Sequence, residues 1–228
     1  LAKEDKERQG GDTYWGGKSM LKTCQAFNMA WQLQLPVAKD LYAEARRITA
    51  DWLTHEPGEK AFYYARYPLP WSGLVGFNPS YGSEQFTDNH FHYGYLAMSV
   101  ALVGMHDPAW LAKYGPPARE VVKQYAEWER GSSRYPRLRT FECWAGHSYA
   151  GGMSSGYDGN NQESSSEAVG SWAGAFLLGA ALGDQDMLAT GAMGYAIETE
   201  AVHEYWNNAY GWKNPEQSNW SSNYKPTI

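Results

Sequence analysis

The chain has 228 residues, 43% of them hydrophobic and only 19% charged, with a net charge of −6 and an aromatic share of 15% from 11 Trp, 17 Tyr and 7 Phe. That length suits one large domain with a sizeable core and excludes a disulfide-stapled miniature, while the hydrophobic fraction excludes a disordered tail. No apolar run approaches the roughly 20 residues of a membrane helix, and an acidic balance without a Lys/Arg cluster argues against a nucleic-acid partner. The many Trp and Tyr point to an aromatic core or to flat platforms that stack on rings, and the charge sign favours sugars over bases.

A charged lead-in, Leu1 to Gly11, holds no basic-then-apolar signal segment, so any secretion signal is expected outside this sequence. Met20, Cys24, Phe27 and Trp31 recur at helical spacing, and Val37, Leu41, Ala45, Ile48 and Trp52 do the same after Pro36. Pro36 reads as the first residue of the second helix, giving a tight hairpin. Cys24 and Cys143 can pair or stay free; two cysteines in such a chain decide nothing about compartment.

From Thr54 to Thr87 the helical signal stops, with at most a short strand pair in Phe62–Tyr67 and Leu74–Phe77. A third helix, Phe91 to His106, is apolar nearly all round and is therefore expected to be buried. The fourth, Pro108 to Arg130, is more polar, and Gly115-Pro116-Pro117 should interrupt or restart it. After a second long loop, Gly131 to Asn160, come a small-residue-rich fifth helix, Gln162 to Leu182, and a more charged sixth, Asp184 to Asn207.

A mainly α fold follows, made of three helical hairpins. In the second and third pairs a buried helix precedes a polar one, as an αα toroid with inner and outer rings produces. Long loops without secondary structure are uncommon in compact domains and usually functional. Both of these enter inner helices, which marks that face as the active one.

Two clusters sit at those entrances. Phe86-Thr87-Asp88-Asn89-His90-Phe91-His92-Tyr93-Gly94-Tyr95 opens the third helix. Asp88 can serve there simply as N-cap. Burying an acid, two imidazoles and a phenol at the mouth of an apolar helix is costly unless they are paired, which favours a site. Asp88, His90 and His92 are all possible metal ligands, but His-x-His splits the rings between helix faces and no Cys or second His pair completes a set, so no metal or cofactor is expected.

The second cluster, Ser155 to Ala168, carries Glu163 and Glu167 at i, i+4, so they are expected to share one helical face one turn apart. They can be a solvated acidic first turn or, opposite Asp88, the partners of an acid/base pair. Cleavage of a glycosidic bond needs two carboxyls, roughly 6.5–9.5 Å apart for inversion and about 5–5.5 Å for retention. Trp144, Tyr149 and Tyr157 in the second loop, with Trp71 and Tyr81 in the first, would line a sugar-stacking groove.

At these residues the sequence resembles glycoside hydrolase family 81, the endo-β-1,3-glucanases or laminarinases. Asp88-Asn89-His90-Phe91-His92-Tyr93-Gly94-Tyr95 is similar to the family's Asp-His-His-Phe-His-Tyr-Gly-Tyr, and Asn161-Gln162-Glu163-Ser164-Ser165-Ser166-Glu167-Ala168 to its Asn-Gln-Glu-Ser-Ser-Ser-Glu-Ala. Ala145-Gly146-His147-Ser148 and Thr13-Tyr14-Trp15-Gly16-Gly17-Lys18 also resemble family segments. The resemblance implies inverting hydrolysis of internal β-1,3-glucosidic bonds, without metal, in part of an (α/α)6 toroid. Asp88 would be the general acid and Glu163 the general base, with Glu167 assisting or itself the base. His92, Tyr93, His147, Asp158, Asn161, Trp71 and Trp144 would bind β-1,3-glucan.

Asn89 stands where the family has His, and Tyr149 where Trp is common. Six helices make half a toroid, so the chain is expected to be a domain or a fragment of one, its apolar edge either exposed or paired with another chain, whether a second copy or the missing remainder of the barrel. A secreted or wall-associated location is implied. Two alternatives remain open: a lyase using Tyr93 with His92 or His147, aided by Arg134, Arg137 or Arg139, or a truncated glucan-binding module. The sequon at Asn219-Trp220-Ser221 is read as incidental.

Overall fold

The computed structural model describes residues 10–54, 64–66, 72–74, 76, 78–152 and 161–210. Among the described residues six helices pair in sequence: α1 (Trp15–Gln32) with α2 (Ala38–Asp51), α3 (Asn89–Gly104) with α4 (Pro108–Ala126), and α5 (Ser165–Leu182) with α6 (Gln185–Tyr205). In the first loop β1 (Tyr64–Arg66) pairs antiparallel with β2 (Ser72–Leu74), Ala65 opposite Gly73; in the second, β3 (Phe141–Glu142) pairs antiparallel with β4 (His147–Ser148). The pair predicted in the first loop is present, shifted toward the turn.

Three of the helices have local side-chain signals at their starts. Asp12 accepts from the Tyr14 and Trp15 N–H groups at 2.8 and 2.7 Å and so caps α1. That helix closes on Gln34 at φ 54°, with Leu35 N–H donating to Ala30 O and Gln34 N–H to Trp31 O, a Schellman ending. Asp107 caps α4 through the Trp110 N–H, with Pro108 following it, and Asp184 caps α6 through the Met187 N–H.

Three expectations about helix limits are corrected. Pro36 lies two residues ahead of α2, whose N-cap is Val37. Helix α4 runs unbroken through Pro116 and Pro117 and ends at Ala126, short of Arg130. Pro116 is exposed, as are Ala112 and Lys113, whose carbonyls lose their donors; water can serve them while Trp110, Leu111, Ala118, Val121 and Val122 hold the opposite face in the core. Helix α5 begins at Ser165, not Gln162.

Helices α1, α3 and α5 form an inner row. Helix α3 is at its centre, with every residue except Met98 buried. Its Leu96, Val100 and Val103 belong to one core with Met20, Cys24 and Phe27 of α1 and with Trp172, Ala175 and Leu178 of α5. The outer helices bury one stripe each, Leu41, Ala45 and Ile48 in α2 and Met187, Gly191 and Gly194 in α6. Cys24 and Cys143 are unpaired, the first buried and the second exposed. Trp71, Tyr157 and Asp158, and the sequon at Asn219, lie outside the described residues.

Candidate active site

The loop ahead of α3 turns through left-handed backbone at Tyr81, Phe86 and Asp88, with φ of 51°, 63° and 56°. Asp88 occupies the N-cap position of α3, yet its carboxylate makes no capping hydrogen bond. Capping residues sit in the extended region; at φ 56° the side chain is aimed elsewhere and remains available. The main chain of Asp88 does the structural part: its carbonyl accepts from Phe91 and His92 N–H at 3.0 and 3.2 Å. Its N–H donates to Ala150 O at 2.8 Å, and the Ala150 N–H donates to Asn161 O at 2.7 Å, tying the loops that carry Asp88 and Glu163.

Partial burial, reinforced by the negative charges of Glu163 and Glu167, pushes the Asp88 carboxyl up to about 6. The two glutamates are not on one helical turn as their spacing suggested. Glu163 precedes the helix, is exposed and accepts from Asn161 Nδ2 at 3.1 Å. Glu167 is in the first turn of α5, half-buried, and accepts from the Tyr95 hydroxyl and from Lys18 Nζ, the latter at 2.9 Å. Burial raises the Glu167 carboxyl, but hydrogen bonds from Tyr95, Lys18 and Ser164 outweigh it and hold the group below the usual carboxylate range.

The first helix completes this wall. Lys18 Nζ also donates to Tyr14 Oη at 2.5 Å and lies 4.1 Å from that ring's centroid. The Tyr14 ring in turn touches Tyr81, His92 and Tyr95. Thr13 Oγ1 is 2.7 Å from His92 Nδ1, and burial lowers the His92 imidazole to about 4, so the ring is neutral above that pH. Lys18, Gln25, Tyr95, Met98 and Glu167 line a cavity of about 420 Å³ between α1, α3 and α5.

Other predicted site residues are spread more widely. Tyr93 is buried, its hydroxyl donating to Leu74 O at 3.1 Å and accepting from Asn89 Nδ2 at 3.2 Å. His147 is buried beneath Tyr149, Tyr205 and Trp206 on β4. Trp144, at the β3–β4 turn, is 96% exposed and free to offer a whole indole face. His90 is buried beside Arg139, and desolvation holds its imidazole well below the ordinary range. His90 and His92 therefore do not converge on Asp88, and among the described residues no group of three His, Cys, Asp or Glu is arranged to hold a metal ion.

Chemically, the arrangement offers a carboxyl that keeps its proton up to a pH of about 6, a solvent-facing carboxylate and a second carboxylate fixed by a cation. A sequence model of the glycosyl hydrolase family 81 C-terminal domain matches residues 3–224. The chain belongs to glycoside hydrolase family 81.

Among family members, a glucan endo-1,3-beta-D-glucosidase of Acetivibrio thermocellus is 40% identical over 205 residues, covering 87% of this chain and 26% of the relative. A protein of the same name from Thermobifida fusca is 34% identical over 216 residues, covering 92% of this chain and 28% of the relative. A solved family 81 structure from Clostridium thermocellum, in a mutant form, superposes with a TM-score of 0.84 at 36% identity, covering 97% of this chain and 32% of that one. The chain thus spans about a quarter to a third of the length of the relatives it matches. The mainly helical, hairpin architecture expected from the sequence is the one observed.

The residues that sequence reasoning missed are Lys18, Tyr95 and Glu198. Lys18 and Tyr95 stood in quoted family segments without a role. Glu198 is buried in α6 and accepts from Ser148 N–H and Oγ and from Trp172 Nε1 at 2.8, 2.7 and 2.6 Å, fastening β4 and with it His147. A carboxylate at a core position of an otherwise apolar stripe was the available signal.

Proposed function

We propose that this chain carries the acid/base site of an endo-acting hydrolase of β-1,3-glucans, working with inversion. Asp88 gives its proton to the glycosidic oxygen as the bond to the anomeric carbon breaks. Water attacks that carbon from the opposite face, and Glu163 takes the water's proton. The observation that carries this reading is the pairing of a carboxyl raised to about 6 at Asp88 with an exposed carboxylate at Glu163. Support also comes from the names of the relatives, glucan endo-1,3-beta-D-glucosidases.

Trp144, with Tyr81 at the first loop, offers the exposed ring surface that stacks on glucosyl units. His92, His147 and Asn161 lie on the elements that frame the carboxylates, and Trp71 and Asp158 are proposed from sequence alone. Nothing about Tyr93 favours β-elimination, since its hydroxyl is engaged with Leu74 and Asn89. A polymeric glucan as substrate goes with a secreted or wall-associated enzyme.

Laminarin hydrolysis tests the reading. Asp88→Asn and Glu163→Gln are each expected to lower kcat by at least about a thousandfold with the fold intact, and the wild-type product is expected as the α-anomer by NMR. Normal turnover by either variant, or β-anomeric product, would sink the respective part of the assignment.

A further inference from the structure

We propose that Lys18 is a positioning residue of this site: reaching from the first helix, it holds Glu167 as a fixed anion beside Asp88, so that the one proton available to the crowded carboxyls resides on Asp88. The inference rests on the acid/base reading above and assigns a role to the amino-terminal segment that the reading leaves without one.

The geometry is specific. Lys18 Nζ sits 2.9 Å from Glu167 Oε1 and 2.5 Å from Tyr14 Oη, over the Tyr14 ring at 4.1 Å. The same carboxylate oxygen accepts from the Tyr95 hydroxyl. Groups that act on Glu167 are Lys18 from α1, Asp88 just ahead of α3, His92 and Tyr95 within α3, and Ser164 just ahead of α5; Tyr14 contacts Lys18 and Tyr95, and Glu163 acts on Asp88. Among the described residues in that set Lys18 is the one cation, because His92 is neutral above a pH of about 4.

Three neighbouring carboxyls cannot all ionise without penalty, so they share protons as a unit. A cation and a phenol donating to Glu167 decide which of them is the anion. Without Lys18, Glu167 competes with Asp88 for the proton, and every microstate with the proton on Glu167 leaves the glycosidic oxygen without its acid. Glu163 has only Asn161 as hydrogen-bond donor among the described residues, so it stays free to meet water.

Lys18→Met and Lys18→Gln, with Lys18→Arg as the conservative variant, provide the test. With laminarin, Met and Gln are expected to lower kcat about tenfold with KM within about twofold, and to move both limbs of the kcat–pH profile to higher pH, since a positive charge has left the carboxyls. Arg is expected to restore most of both. A variant that merely loosens the fold would lower activity with the limbs in place, and that outcome overturns the proposal.

Carboxyl NMR titration of Glu167 in the substrate-free protein gives a readout independent of turnover. Its midpoint is expected to rise in Lys18→Met and to return in Lys18→Arg. An unmoved midpoint overturns the role of Lys18 whatever the activity. Absence of laminarin hydrolysis by the wild-type chain, with the Glu167 midpoint shifting as expected, overturns the glucanase reading and leaves the Lys18–Glu167 coupling standing.

Discussion

Asp88 is held in two unfavourable states at once, a left-handed backbone and a carboxyl crowded by two others. Its folded value of about 6 lies above the ordinary 3.8, so its contribution to stability is present below about 3.8 and is lost as pH rises through about 6. Asp88→Asn keeps a side chain that tolerates left-handed φ and removes the charge. Since the carboxyl is only half-buried, the gain at pH 7 is expected to be on the order of 1 kcal/mol after allowing for solvent screening. It should vanish at pH 3.5; denaturant melts of both proteins at the two pH values check this. The same titration predicts that wild-type kcat/KM declines above a midpoint of about 6, the alkaline limb of its pH profile. That a site opens the third helix was suggested by an acid, two imidazoles and a phenol at the mouth of an apolar run, while the part proposed for Asp88 came from the family resemblance. Lys18 was not legible, because its partner Glu167 lies on another helix pair, and no local pattern announces a contact between them.

The crossing of α3 and α5 depends on residues without side chains. A Cβ on Gly94 would meet Ser171 Cα at 2.7 Å, and one on Gly174 would meet the Gly94 carbonyl at 2.9 Å. Backbone atoms cannot give way as a flexible side chain can, so Gly94→Ala is expected to destabilise by about 1–3 kcal/mol through overpacking. Because Asp88 and Glu167 stand at the starts of these same two helices, activity should fall with it; thermal melts and laminarin assays on the variant decide both. The close packing of α5 was readable from its small residues. Its starting point was not: Ser164, Ser165 and Ser166 are all competent caps, and the first takes the N-cap position without a side-chain capping bond, its hydroxyl going to Glu167 instead. Likewise the Pro116-Pro117 pair carries a strong local signal to stop, overridden because Pro116 and the carbonyl-bearing Ala112 and Lys113 face water while the other side of α4 is anchored in the core.

As a whole, the chain shows an apolar edge along α5 and α6, where Phe176, Met193, Ile197 and Tyr205 are 38%, 37%, 42% and 40% exposed. Adjacent exposed apolar groups of this size favour association. The apparent mass in light scattering is expected to rise with concentration, and Met193→Lys with Ile197→Lys to suppress the rise. The sequence pointed to such an edge through the helix count, since six helices are half of a toroid and the missing half would leave apolar surface behind. At the opposite extreme of detail, the loops bearing Asp88 and Glu163 meet through Ala150, whose carbonyl and N–H bond to Asp88 and Asn161 at 2.8 and 2.7 Å. Main-chain atoms are the same whatever residue carries them. Substitutions can therefore accumulate around Ala150 while the two loops keep their distance, but one inserted or deleted residue there would slip the alignment and separate Asp88 from Glu163, so this stretch should vary in spelling and never in length.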